Sequence, residues 1–185
     1  MDFLNKLLSE KPSDYAADFL TFIPELKSCV GFDQKNPWHH LDVWNHILYA
    51  MDLSPKNKIV RMSLLLHDIG KPETMTIDDN GIGHFFGHPL KGYEMSKEIL
   101  IRFDCFNDEE RDNILYLIKH HDSPIGQTDK TLKKKIKNLG ENLDNLIEVQ
   151  KADALAHNPE KLDQRIKILE DVDKRIKILR NEEKQ

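Results

Sequence analysis

Cysteine is scarce in this chain. Its two thiols, Cys29 and Cys105, stand far apart and show none of the spacings of zinc or redox motifs. A disulfide scaffold and a thiolate-bound metal are thereby excluded, and reduced thiols of a cytoplasmic protein are expected. Basic excess is missing as well. Lys and Arg number 27 against 32 Asp and Glu, a formal net charge of −5, so overall charge recruits neither nucleic acid nor an anionic membrane. No apolar run approaches the length of a membrane span. The N-terminal stretch carries Asp2, Lys6 and Glu10 where a signal peptide would carry an apolar core. Sustained alternation of apolar and polar residues is also wanting, so few strands are expected.

What is present is helical periodicity. The 185 residues, 39% hydrophobic and 32% charged, suffice for one domain with a real core under a charged surface. Helices are expected over residues 3–9, 14–22 and 41–51, and from Ser54-Pro55 to Asp68. Further helices should run from Pro89 to about Phe103, and from Asn107 or Asp108 to His120-His121. Two more fill 129–157 and part near Gly140. A last helix over 160–180 spaces Leu162, Ile166, Leu169, Val172, Ile176 and Leu179 at intervals of three and four. That stripe most simply packs back on the domain; the other use for it is a homodimer seam. Residues 181–185 read as frayed. The polar stretch 31–40 and the segment 70–84, with its Asp78-Asp79-Asn80-Gly81 turn, read as loops, the second long enough to be functional.

The apolar run Met62-Ser63-Leu64-Leu65-Leu66 ends on His67-Asp68, two strong metal ligands placed where a buried helix should be. Ile69-Gly70-Lys71-Pro72 then stops that helix. His46, His88, His121 and Asp153 also lie on apolar faces. Any one such histidine is most simply a hydrogen-bonded core residue, and any one such aspartate a cap or half of an ion pair. Several helices burying polar groups at once call for one shared reason, and a common metal ion supplies it. A histidine and carboxylate set without thiolates suits Zn, Fe, Mn, Co or Ni, and the spacing does not choose among them. Open coordination positions at such a site mark catalysis rather than structure.

Several segments together carry a resemblance: "DVWNHIL" with His46, "LLLHDIGKP" with His67 and Asp68, "GHFFGHPLKG" with His88, "LIKHHD" with His121, and "KADALAH" with Asp153. Their order and spacing resemble the HD-domain phosphohydrolase superfamily from about residue 38 to 158, and within it the HD domain attached to some bacterial tRNA nucleotidyltransferases, the CCA-adding enzymes. The resemblance implies an all-α HD-domain helical bundle that hydrolyses phosphomonoesters or phosphodiesters, often of nucleotides. It implies a core metal set of His46, His67, Asp68 and Asp153, with His88 and His121 as ligands of a second ion or as phosphate contacts. His120 would replace His121 if the helical register shifted by one. One or two divalent ions (Mn, Fe, Co, Ni, Zn or Mg) are the expected cofactor. No nucleotidyltransferase or tRNA-binding region accompanies the motifs in these residues, so the tRNA link of those enzymes does not carry over. The "GYP" motif of cyclic-di-GMP enzymes is replaced by Ser123-Pro124-Ile125-Gly126, which argues against that substrate.

Asp68 is best placed to bridge two ions or to orient the attacking water. Lys71 is either a phosphate contact or a surface lysine at a helix end. His84 is either a general acid and substrate contact or an exposed loop residue. His39 and His40 read as structural or rim residues, Trp38 and Trp44 as packing, and His157 as a helix-end residue. The run Lys130, Lys133, Lys134, Lys135, Lys137 reads as a solvated helix face, or else a guide for a phosphorylated substrate. The expected partner is a small phosphorylated substrate, a nucleotide before others, with no membrane and no stable nucleic-acid binding. The rival function is a non-catalytic module that senses a nucleotide or holds a protein partner.

Overall fold

The helical periodicity is realised as ten α-helices among the described residues of the computed structural model, which are 2–126, 128–161 and 163–182. They are α1 (Phe3–Leu7), α2 (Ala16–Phe22), α3 (Val43–Asp52), α4 (Lys58–Leu66), α5 (Lys71–Thr74), α6 (His88–Leu100), α7 (Asp108–His120), α8 (Asp129–Leu139), α9 (Asn142–Leu155) and α10 (Asp163–Glu182). Tighter helical turns occur at Pro12–Tyr15, Pro24–Cys29 and Pro159–Lys161.

Helix α4 is the axis of the bundle. Ile59, Val60, Met62, Leu64, Leu65 and Leu66 are all buried, so the helix is apolar on every side and needs neighbours all round. It packs against α3, α7 and α9. Its one buried charge, Arg61, donates to the carbonyls of Leu7 (2.9 Å), Ser9 (2.7 Å) and Ser54 (3.3 Å), which ties the N-terminal segment to the core. The start of α4 differs from expectation. Asn57, not Ser54, caps it, accepting from the amides of Ile59 (2.9 Å) and Val60 (3.3 Å). The choice of cap at α7 falls on Asn107, whose side chain accepts from Glu110 N while Glu110 accepts from Asn107 N.

Helix α4 stops at Leu66, and His67 to Gly70 form a turn packed against α6. Gly70 makes that packing possible. A Cβ there would lie 2.5 Å from His88 O and 2.8 Å from Gly92 N. Backbone meets backbone at this crossing, which brings the start of α6 beside the His67-Asp68 turn.

The connection 70–84 holds more order than expected. Besides α5 it contains a short antiparallel ribbon, β1 (Thr76–Ile77) with β2 (Gly83–His84), closed by the Asp78–Gly81 turn. Asp78 accepts from the amides of Asn80 and Ile82, each at 2.9 Å. Two-residue strands are too short for alternation to register in sequence.

Helix α10 packs on α8 and α9 and buries Leu169, Val172, Ile176 and Leu179, so these residues of the stripe pack back on the domain. The helix continues to Glu182; Leu162 and residues 183–185 lie outside the described residues. No described helix is long and apolar enough to cross a membrane.

Candidate metal centre

Five elements bring their polar residues to one place. His46 comes from the middle of α3, His67 and Asp68 from the turn after α4, His88 from the first position of α6, His121 from the residue after α7, and Asp153 from the last turn of α9. All six are buried. His46 Nε2 lies 3.1 Å from Asp153 Oδ1, 3.4 Å from His67 Nε2 and 3.5 Å from Asp68 Oδ2. His67 Nε2 lies 3.3 Å from Asp68 Oδ2 and 3.6 Å from Asp153 Oδ1. The other oxygen of Asp68 faces a second group. Asp68 Oδ1 is 3.3 Å from His88 Nε2 and 3.8 Å from His121 Nε2, and those two nitrogens are 3.1 Å apart. His121, not His120, turns inward; His120 packs against the Tyr116 ring instead, tilted by 38°.

The imidazoles are oriented from behind. Nδ1 of His46, His67, His88 and His121 faces the carbonyls of Ala156 (3.3 Å), Leu64 (2.7 Å), Phe85 (2.8 Å) and Ile118 (2.7 Å). A carbonyl only accepts, so Nδ1 carries the proton and the Nε2 lone pair points to the centre. Lone pairs and carboxylate oxygens at these separations repel unless a positive charge lies among them. Atoms bound about 2.1 Å from one ion lie roughly 3.0–3.4 Å from each other, and the observed spacings of 3.1–3.8 Å fall within that range or a few tenths of an ångström above it. Asp68 Oδ2 is moreover a buried oxygen with no hydrogen bond, although the Lys71 ammonium forms an ion pair with it at 2.7 Å. The residues therefore fit a divalent ion bound through nitrogen and oxygen.

Without an ion, protons take its place. Burial opposes a charge on His67, but the carboxylates of Asp68 and Asp153 outweigh burial and push its pKa up to about 10. Burial likewise opposes the Asp68 carboxylate, and the positive charges of His67 and Lys71 overcome it and hold Asp68 well below the usual range. Asp153 is lowered in the same way, with Arg165 and His157 outweighing burial. Burial, reinforced by His67 and His88, takes His121 down to about 3 and keeps it neutral.

The centre floors a cleft of about 410 Å³. Lys71 lines it and is buried, not a surface lysine; it donates to Gln34 Oε1 at 2.8 Å. His84 stands on the rim with Nε2 3.1 Å from Asp78 Oδ2, stacked on the exposed Phe86. Along α8, Lys130, Lys133, Lys134 and Lys137 are exposed and Lys135 is half-buried.

Several residues of this cleft escape a reading of the sequence. His157 is more than a helix end: its Nδ1 bonds Asp153 O at 2.7 Å, and it lines the cleft one helical turn past Asp153, a spacing that could have flagged it. Arg165, from α10, donates to Asp153 Oδ2 at 3.0 Å. No local signal marks it, nor Gln34. His39 also lines the cleft, with Nδ1 buried and unbonded, and burial drives its pKa to about 2. Trp38, expected to pack, is 53% exposed.

Comparison with known proteins places this architecture. An A-adding tRNA nucleotidyltransferase of Deinococcus radiodurans is 37% identical over 86 residues, 43% of this chain and 20% of the relative. A CC-adding tRNA nucleotidyltransferase of Thermus thermophilus is 30% identical over 141 residues, 73% of this chain and 32% of the relative. A multifunctional CCA protein of Shewanella frigidimarina is 31% identical over 106 residues, 55% of this chain and 25% of the relative. The matched regions thus span at most about a third of these curated relatives. Residues 39–174 match the HD domain, a helical domain of a metal-dependent hydrolase superfamily, and they contain all six converging side chains. This chain belongs to the HD domain family.

Proposed function

We propose that this chain is a metal-dependent phosphohydrolase that cleaves a phosphomonoester, or an open or cyclic phosphodiester, of a small phosphorylated substrate, with nucleotides as the class in view. One observation carries this assignment: Asp68 directs its two oxygens to two separate ligand groups at the floor of an open cleft. His46, His67, Asp68 and Asp153 would hold one divalent ion, and Asp68, His88 and His121 a second. Such ions, when bound, lower the pKa of a coordinated water and polarise a phosphoryl oxygen.

The chain's own groups supply the rest. Lys71 and Arg165 line the cleft and offset the negative charge of a phosphate. Gln34 fixes the Lys71 ammonium, so little reorganisation is needed when the phosphate arrives. His84 is assigned proton delivery to the leaving oxygen; Asp78 accepts from its Nε2 and orients the ring, and Nδ1 donates when the ring carries both protons. The free thiols Cys29 and Cys105 support a reducing, cytoplasmic setting.

The test is turnover of p-nitrophenyl esters and a nucleotide panel with added Mn²⁺, Co²⁺ or Ni²⁺. Chelation and His67→Ala should each abolish it. Turnover surviving both refutes hydrolysis at this centre, and tight nucleotide binding without turnover under every metal favours the non-catalytic module.

A further inference from the structure

A second cavity, of about 860 Å³, opens beside the metal cleft. The two share Asn36, His39, His157 and Arg165 as a common wall, so one ligand can occupy both. Their linings differ in kind. The metal cleft is bordered mostly by charged groups and imidazoles, with Phe85, Phe86 and Pro89 among them, whereas this shelf adds Trp38, Ala154, Pro159 and Ile168 to the shared wall. Trp38 and Ile168 are 53% and 48% exposed, two large apolar side chains open to solvent on the same shelf. Gln164 and Glu160 add an amide and a carboxylate to the lining. An apolar surface of this size, with a few polar groups in its lining, suits a flat heteroaromatic ring better than an alkyl chain.

We propose that the shelf receives the base of a nucleoside phosphate, with Trp38 as the stacking platform, while the phosphate lies in the adjoining cleft, a placement that rests on the function proposed above. The loop that carries Trp38 is anchored at the backbone. The Trp38 carbonyl accepts from Asn158 N at 2.9 Å, and its amide donates to Asn36 Oδ1 at 3.0 Å. Both bonds are to backbone atoms of residue 38 and survive replacement of the side chain.

The test compares adenosine 5′-monophosphate with ribose 5-phosphate, which lacks the base. In chelator-treated protein, where no hydrolysis consumes the ligand, the nucleotide should bind more tightly and quench tryptophan fluorescence; the buried Trp44 supplies the constant background. Trp38→Ala should weaken the nucleotide about 5- to 150-fold, the worth of one stacked base, and leave ribose 5-phosphate unchanged. Trp38→Phe should restore most of the loss, and Ile168→Glu should weaken the nucleotide selectively. Equal affinity for the two ligands in the unaltered chain overturns the shelf, as does an equal loss for both in Trp38→Ala. Failure of hydrolysis reads out separately. Nucleotide bound through Trp38 but never turned over with any metal leaves the shelf standing and removes the phosphohydrolase. Hydrolysis of both esters with one kcat/KM does the reverse.

Discussion

Removing the divalent ion should destabilise the protein by an amount that grows with pH. In the metal-free fold, His67 is held at a pKa of about 10 by Asp68 and Asp153, against the opposing effect of burial. A pKa raised above the ordinary histidine value means that the proton stabilises the metal-free fold fully below about pH 6.5. That contribution fades as pH rises towards 10. An ion bound at His67 Nε2 must displace the same proton, so its apparent affinity should rise tenfold per pH unit up to about 10. His121, kept neutral down to about pH 3, adds nothing to the slope. With free metal buffered at a constant level well above its Kd, each decade of affinity adds about 3–5 °C to the gap in Tm between metal-bound and chelated protein. Thermal melts at pH 7, 8 and 9 with buffered Mn²⁺ or Co²⁺ measure this directly. A gap that stays constant across the range, or narrows, would refute proton competition at His67. No gap at any pH would refute the metal centre itself.

Three further outcomes follow from the same geometry. His121→Ala leaves the His46–His67–Asp68–Asp153 group whole and takes one nitrogen from the other, so metal content by elemental analysis should fall from two ions to one per chain; an unchanged content argues against the second group. Arg165→Ala removes the hydrogen bond that orients Asp153 Oδ2, and competition titration should show metal binding about 10- to 100-fold weaker with unchanged helicity. Gly70→Ala drives a methyl to 2.5 Å from His88 O, and denaturant unfolding should show a loss of at least about 1–3 kcal/mol with the slope preserved; wild-type stability would mean that α6 is free to back away from the turn.

The sequence reveals the helices and the converging polar side chains for one physical reason. A polar residue on an otherwise apolar helical stripe is an exception that periodicity makes visible, and His46 and Asp153 each stand out that way. What the sequence hides is whatever depends on contacts between distant segments. Loop 31–42 is shaped by the β2 backbone, where Gly83 N donates to Lys35 O and Asn36 donates to Gly83 O. Gly83 allows this because a Cβ would lie 2.2 Å from Gln34 O. The placement of Gln34, Trp38 and His39 follows from that docking and leaves no local mark. Arg165 is hidden for a related reason. Its own helix explains only the stripe buried on α8 and α9, and the reach to Asp153 depends on how α10 crosses α9.

The site also explains an oddity of the fold, namely that its most buried helix leads directly into two buried polar residues, His67 and Asp68. Isolated, each of the six buried groups would cost several kcal/mol, and the backbone carbonyls behind the histidines satisfy only the Nδ1 side. The Nε2 atoms face one another and the oxygens of Asp68 and Asp153. A proton on His67 eases this without completing it, since the Nε2 atoms of His88 and His121 still face each other at 3.1 Å. One or two cations would satisfy all six groups together. The same burial that makes the metal-free cluster costly then makes the loaded one tight, because the groups are already oriented and need not be ordered by the ion. Gly70 belongs to this logic as much as the ligands do, for without its close approach to α6 His88 could not stand beside Asp68.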